Sequence, residues 1–353
     1  MLSSELRYEL PDELIAQGPS DRRDNSRLLV HNRKTGKTSH HRFHELPDLL
    51  PSGSRIFRND VSVLKARIPG QRSSGGRVEC LLLGPVVDLP HVWRCLLKPG
   101  GKTEKAGNFF LPNEYQAAIL EKDDSGEYIV RFNLLKDDDV LSLAERLGSM
   151  PLPPYVRRPV GSEDDKRYQT VYADPQKRTA VAAPTAGLHF TADMLAELKR
   201  RAHRILDLTL SVGPGTFRPI ETESIEGHQM HAEPYQLPPA TQIALHESGP
   251  PRLAIGTTTV RAIEHYLKQG TAPQSNKTTL AEADLFIRPP YEFMGVDLLL
   301  TNFHLPGSTL LCLVASFLTP GKATGLALLK KLYAEAMARN YRFYSYGDAM
   351  LIL

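Results

Sequence analysis

The sequence predicts an α/β protein in which two α/β stretches flank a small all-β module. Three observations lead there. Strand-like and helix-like runs alternate near the N-terminus and again beyond residue 150. Between them, short strand-like runs follow one another with Pro/Gly turns in between. A stiff run, Met150-Pro151-Leu152-Pro153-Pro154-Tyr155, marks the passage back. With 353 residues, 41% of them hydrophobic and 24% charged, the chain has the balance of a folded protein and the length for roughly two domains.

Taken in order, Pro11 is placed as the first residue of a short helix through Ile15. Leu28-Leu29-Val30 reads as a short buried strand, and Lys34-Thr35-Gly36-Lys37 as the turn after it. The all-β module follows, with strands at 78–83, 92–97, 109–111 and 128–132 and a hairpin tip at 71–76. Its spacing suggests a closed or half-closed barrel. Thr191 is placed to cap a helix carrying Met194, Leu195, Leu198 and Ala202 at helical spacing. Strands at 205–212, 253–255 and 298–301 alternate with helices near 259–268, closed by Gly270, and 325–339. The apolar run from Thr309 to Leu318 is too short for a bilayer, which needs about 20 residues, and reads as a buried core element.

The net charge of +3 excludes a wholly basic coat for nucleic acid. A local patch is still available: Arg22, Arg23, Arg27, Arg33, Lys34, Lys37 and Arg42 face one acid, Asp24, in that stretch. Such a patch suits a phosphate backbone or an ordinary solvated face. Cys80, Cys95 and Cys312 are too few and scattered for a disulfide framework or a zinc site, and fit a reducing cytoplasm. No signal peptide is read at the N-terminus, and with no interface-like patch a monomer is expected.

Polar clusters stand at the strand ends, where open α/β sheets bind ligands. In Ala182-Ala183-Pro184-Thr185-Ala186-Gly187-Leu188-His189-Phe190-Thr191, small residues lead to an imidazole just before a helix start. Gly213-Pro214-Gly215-Thr216 leaves a strand in a tight loop, followed by Phe217 and Arg218, a pairing suited to a flat base or a cation. His228-Gln229-Met230-His231-Ala232-Glu233 lacks partners for a metal and suits acid–base work or ribose binding. Thr257, Thr258 and Arg261 open a helix after a strand, and Asn302 and His304 end another. Tyr344-Ser345-Tyr346-Gly347-Asp348-Ala349-Met350 clusters aromatic faces with one carboxylate, a combination suited to a sulfonium or another cation. Each cluster alone is compatible with plain turn, cap or core chemistry; together they suggest an enzyme site.

These runs resemble the S-adenosylmethionine:tRNA ribosyltransferase-isomerase family of queuosine biosynthesis over nearly the whole chain. Besides those above, the matches include Leu14-Ile15-Ala16-Gln17, Arg27-Leu28-Leu29, Tyr168-Gln169-Thr170-Val171-Tyr172 and Tyr341-Arg342-Phe343. The resemblance implies a mixed α/β, barrel-like main domain (1–60 plus 150–353) with an inserted small β-barrel domain (61–149). It implies transfer and isomerisation of the ribosyl part of S-adenosylmethionine onto 7-aminomethyl-7-deazaguanine at the tRNA wobble position. The products are epoxyqueuosine-tRNA, adenine and methionine. S-adenosylmethionine is then a co-substrate, with no metal or resident cofactor. The expected proton-transfer residues are His189, His231, Glu233 and His304. Thr185, Gly187, Gly213, Gly215, Thr216, Phe217, Arg218, Thr257, Thr258, Arg261 and Asn302 are expected to bind substrate, with Tyr346 and Asp348 on the sulfonium. Arg22, Arg23, Arg27, Lys34, Arg67, Lys98, Lys102 and Lys105 are the expected tRNA contacts.

The chain departs from the family pattern at several positions. Ser62 replaces an arginine, Lys65 a proline, Ser211 a histidine, Pro214 an alanine and Gly307 a longer polar residue. A divergent branch with the same reaction is expected. The rival readings are an S-adenosylmethionine-dependent RNA methyltransferase, disfavoured because no strand-linked G-x-G-x-G opens an early β–α unit, and a catalytically silent RNA-binding module.

Overall fold

The computed structural model of the chain describes residues 1–213 and 220–353. Four strands come first: β1 (Arg27–His31), β2 (Thr38–Arg42), β3 (Arg55–Asn59) and the two-residue β4 (Ser62–Val63). Six follow close together: β5 (Arg67–Gln71), β6 (Arg77–Pro85), β7 (Val92–Lys98), β8 (Asn108–Leu111), β9 (Tyr115–Lys122) and β10 (Tyr128–Leu134). The remainder are β11 (Arg178–Ala180), β12 (Arg204–Leu210), β13 (Glu233–Leu237), β14 (Arg252–Ile255), β15 (Thr279–Ala283), β16 (Leu298–Asn302) and β17 (Ala349–Ile352).

The middle six strands close into a barrel in the order β10-β7-β6-β5-β8-β9. Alternate residues turn inward, so β6 buries Val78, Cys80 and Leu82 while Arg77 and Glu79 face out. Phe109, Tyr115 and Phe132 pack edge-to-face inside, and Tyr115 donates its hydroxyl to the Pro69 carbonyl at 2.7 Å. The helix Val140–Leu147, capped by Asp139, adds Val140, Leu143 and Ala144 to this core.

Among the described residues the main sheet has nine strands, in the order β15-β13-β12-β3-β14-β16-β17-β1-β2. Strands β12, β3, β14 and β16 are mutually parallel, β17 runs against β16, and β1 runs with β17. Both faces are covered. Leu28, Ile56, Leu253, Leu298 and Leu351 meet Phe190, Met194 and Leu198 on one side. Leu29, Phe57, Ala254, Leu299 and Ile352 meet the helices Thr257–Lys268, Thr309–Leu318 and Gly325–Ala338 on the other. The class is the mixed α/β one expected, but this sheet is an open layer covered on both faces rather than the barrel-like form expected of the main domain, with period-two alternation sorting neighbours onto opposite faces. The apolar run at Thr309–Leu318 is a helix inside that core. Pro11 stands before a 3-10 turn, Asp12–Leu14, where a short helix was expected. Among the described residues no helix is long and apolar enough to cross a membrane.

Candidate active site

Because β12, β3, β14 and β16 are parallel, their carboxyl ends lie along one edge of the sheet. Asn302, the last residue of β16, pairs with Ala349, the first of β17, so the segment Tyr344–Asp348 arrives at the same edge. A cavity of ≈ 60 Å³ sits there, lined by Pro184, Thr185 and Ala186, by Gly256, Thr257 and Thr258, by Thr301 to Leu305, and by Tyr155, Tyr344 and Ser345. Its described lining contains no Asp, Glu, Lys or Arg. A smaller space of ≈ 20 Å³ shares Thr258 and Leu310 with it, and shares His231 and Glu233 with a groove of ≈ 650 Å³. That groove has the barrel residues Gly84, Val87, Arg94 and Glu127 on one wall and Ser211, Val212, Gly213 and His231 on the other.

A hydrogen-bonded chain fixes one wall of the cavity. Thr185 donates its hydroxyl to Asn302 Oδ1 at 2.8 Å, and Asn302 Nδ2 lies 3.3 Å from His189 Nε2. On the other side of the ring, His189 Nδ1 is 2.7 Å from Ser26 Oγ. If Asn302 presents its amide this way, Nε2 accepts and the proton sits on Nδ1. Burial, with Arg342 and Arg23 nearby, pushes the His189 imidazole down to about 3, so it is neutral. His189 is absent from the cavity wall; Thr185 and Asn302 are on it. Gly187 packs under this turn, where a Cβ would lie 2.0 Å from the Tyr172 hydroxyl.

His304 lines the cavity itself. Its Nε2 is 2.7 Å from Thr301 Oγ1, and burial alone pushes it down to about 3. Tyr155 and Tyr344 pack with ring centroids 4.6 Å apart, and Tyr155 lies 2.5 Å from Ser345 Oγ. Tyr346 and Asp348 have internal partners. Tyr346 donates to Asp164, itself held by the Arg158 fork at 2.7 and 2.8 Å. Asp348 accepts the Arg27 and Arg342 backbone N–H groups at 2.7 and 2.8 Å and staples β1 to the turn before β17; burial raises its carboxyl.

Glu233 and Arg261 form a buried ion pair, and Glu233 also accepts from the Gly213 N–H at 3.2 Å. Arg261 donates further to the Ala283 carbonyl at 2.8 Å. His231 is exposed, at the lip of the groove. Gly215, Thr216, Phe217 and Arg218, with Pro214, lie outside the described residues.

The basic residues fall into two groups. Lys34, Lys98, Lys102 and Lys105 are exposed, the last two on the barrel helix Gly100–Ala106. Arg22 is exposed but pairs with Asp24 at 3.1 Å. Arg23 spends its guanidinium on the Leu188 and Lys166 carbonyls, Arg27 on the Arg339 carbonyl, and Arg67 on Glu79 and the Leu152 carbonyl.

Four of the five positions that depart from the family pattern lie among the described residues; Pro214 does not. Lys65 bridges Asp165 and Glu145 at 2.9 and 3.4 Å. Ser62 is buried and its N–H donates to the Lys177 carbonyl. Ser211 bonds Thr179 at 2.6 Å. Gly307 has φ +72°, a conformation that suits glycine. Sequence reasoning missed Ser26, which no motif marks; Tyr155 lies in the Pro-rich run read as a boundary, and Tyr344 in the aromatic run read as suited to a cation.

The chain is similar to known proteins over its whole length. Residues 3–352 match the family model described as queuosine biosynthesis protein. The chain is 42% identical to the S-adenosylmethionine:tRNA ribosyltransferase-isomerases of Citrifermentans bemidjiense and Geotalea uraniireducens, over the whole of each chain. The crystal structure of the S-adenosylmethionine tRNA ribosyltransferase of Thermotoga maritima is similar, with TM-score 0.55 and 33% identity, covering 99% of this chain and 100% of that one.

Proposed function

The chain belongs to the queuosine biosynthesis protein family, and we infer that it acts as an S-adenosylmethionine:tRNA ribosyltransferase-isomerase. It moves the ribosyl part of S-adenosylmethionine onto the aminomethyl group of 7-aminomethyl-7-deazaguanine in tRNA, releasing adenine and methionine. The observation that carries this reading is full-length identity to the named enzymes, in a chain whose matching segments converge on one sheet edge.

The chemistry needs a sulfonium held away from water, a base for a C5′ hydrogen acidified by that sulfonium, a proton for departing adenine and a neutral amine. In our reading the cavity takes the methionine end, with the Tyr155, Tyr344 and Phe303 rings beside the sulfonium. The adenosyl part extends toward the groove, where the tRNA base enters from the side of the barrel. His231 is the proton-transfer group, being open to the groove and next to Glu233. His304 stays neutral and offers a fixed hydrogen-bonding edge. His189 and Glu233 are positioning residues: the first orients Asn302, the second ties Arg261 to Gly213. Tyr346 and Asp348 shape the turn that carries Tyr344. The exposed Lys34, Lys98, Lys102 and Lys105 are placed for tRNA phosphates. The reading needs no metal or resident cofactor, works with a single copy of the chain, and places the reaction with tRNA in the cytoplasm.

Incubating the protein with S-adenosylmethionine and tRNA bearing the aminomethyl base tests the function. Adenine and methionine should appear in equal amounts, and only with that tRNA. Release of S-adenosylhomocysteine would assign a methyltransferase instead.

A further inference from the structure

The helix Thr257–Lys268 begins inside the protein. Gly256, at its N-cap, supplies no capping side chain. Thr257, Thr258 and Thr259 are 6%, 8% and 0% exposed. Among the described residues none of their three N–H groups has a protein acceptor; the bonds resume with Val260 N–H to the Gly256 carbonyl. Thr259 satisfies its hydroxyl on the Ile255 carbonyl at 2.7 Å. The Thr258 hydroxyl, by contrast, is buried without a partner among the described residues. Thr258 lines both the ≈ 60 Å³ cavity and the ≈ 20 Å³ space beside it.

Buried helix starts normally find caps or water, and buried hydroxyls normally find acceptors. Here three N–H donors and one O–H donor have no protein acceptor among the described residues, at the positive end of a helix dipole. No acid stands in the described cavity wall to compete with an incoming anion. Arg261, one turn on, is already held by Glu233.

The small volume narrows the ligand. A phosphodiester continues on both sides and needs two ways out; a terminal carboxylate needs one. Resting on the functional reading above, in which S-adenosylmethionine is the co-substrate, the α-carboxylate is that molecule's one anionic group. We propose that the buried start of this helix, together with the Thr258 hydroxyl, is the subsite for the α-carboxylate of S-adenosylmethionine. It fixes the co-substrate with its amino-acid tail inward and its ribose toward the groove.

The test is calorimetric binding of S-adenosylmethionine and of its decarboxylated analogue to the full chain and to Thr258→Val and Thr258→Ser. The wild type should bind the analogue at least about tenfold more weakly, the usual size for a lost hydrogen bond to a charged group. Thr258→Val should weaken S-adenosylmethionine by about tenfold and leave the analogue unchanged, with Thr258→Ser close to wild type. Equal wild-type binding of the two ligands overturns the subsite alone, as does equal weakening of both by Thr258→Val. No binding of S-adenosylmethionine by the folded wild type overturns the functional reading, and the subsite with it.

Discussion

Burial holds the His189 and His304 imidazoles neutral, and this has a consequence for stability. Each is pushed from 6.5 to about 3 in the fold, while the unfolded chain protonates near 6.5. Above 6.5 both states are neutral and the groups contribute no pH dependence. Below it the unfolded chain binds the extra protons, so stability falls as pH falls from 6.5 toward 3. Each imidazole contributes about 1.4 kcal/mol per pH unit to that loss. Urea unfolding of wild type and His304→Gln between pH 6.5 and 5 checks it. The variant's stability should decline less steeply, by about one proton; parallel slopes would mean that His304 is not buried neutral. At this scale the sequence pointed to the histidines but not to their partners. Ser26 lies 163 positions from His189 in the chain, and Asn302 lies 113.

The turn Thr185–His189 has to pass close beneath the segment carrying Thr170 and Tyr172. Gly187 makes that possible, since a Cβ there would meet the Tyr172 hydroxyl at 2.0 Å and Thr170 Cγ2 at 2.9 Å. Tyr172 cannot simply swing away, because the Arg58 guanidinium lies 4.1 Å over its ring. Gly187→Ala should therefore cost about 1–3 kcal/mol in thermal or urea unfolding, as overpacked sites do. A variant as stable as wild type would show that the turn has slack. Elements with strong local signals were legible: the Thr191 cap, the β14 strand with the helix after it, and most barrel strands. The mostly apolar run Thr309–Leu318 gave no periodicity with which to tell helix from strand. Strands β9 and β17 are among those that went unread. The first mixes exposed Gln116 and Ala118 with buried Tyr115 and Ala117, and the second follows directly on a turn rich in aromatics.

At the scale of the molecule, the site depends on strand order. The sheet sets β3 between β12 and β14, and β17 between β16 and β1, so segments distant in sequence share one edge. Nothing in local spacing encodes that order. The polar ends of the strands could be read one by one, but not which of them meet. The barrel keeps a core of its own around Trp93, Phe109 and Tyr115, and contributes Gly84, Arg94 and Glu127 to the groove beside His231. This edge and groove are the proposed site for moving ribose from S-adenosylmethionine to tRNA. The most direct measurement follows carbon. S-adenosylmethionine labelled in the ribose, and separately in the methyl group, is incubated with the protein and the aminomethyl-bearing tRNA, and the tRNA is digested to nucleosides. Ribose label in the modified wobble nucleoside, with no methyl label in the tRNA, is the predicted result; methyl label in the tRNA, or ribose label that never leaves the small-molecule pool, would contradict the account.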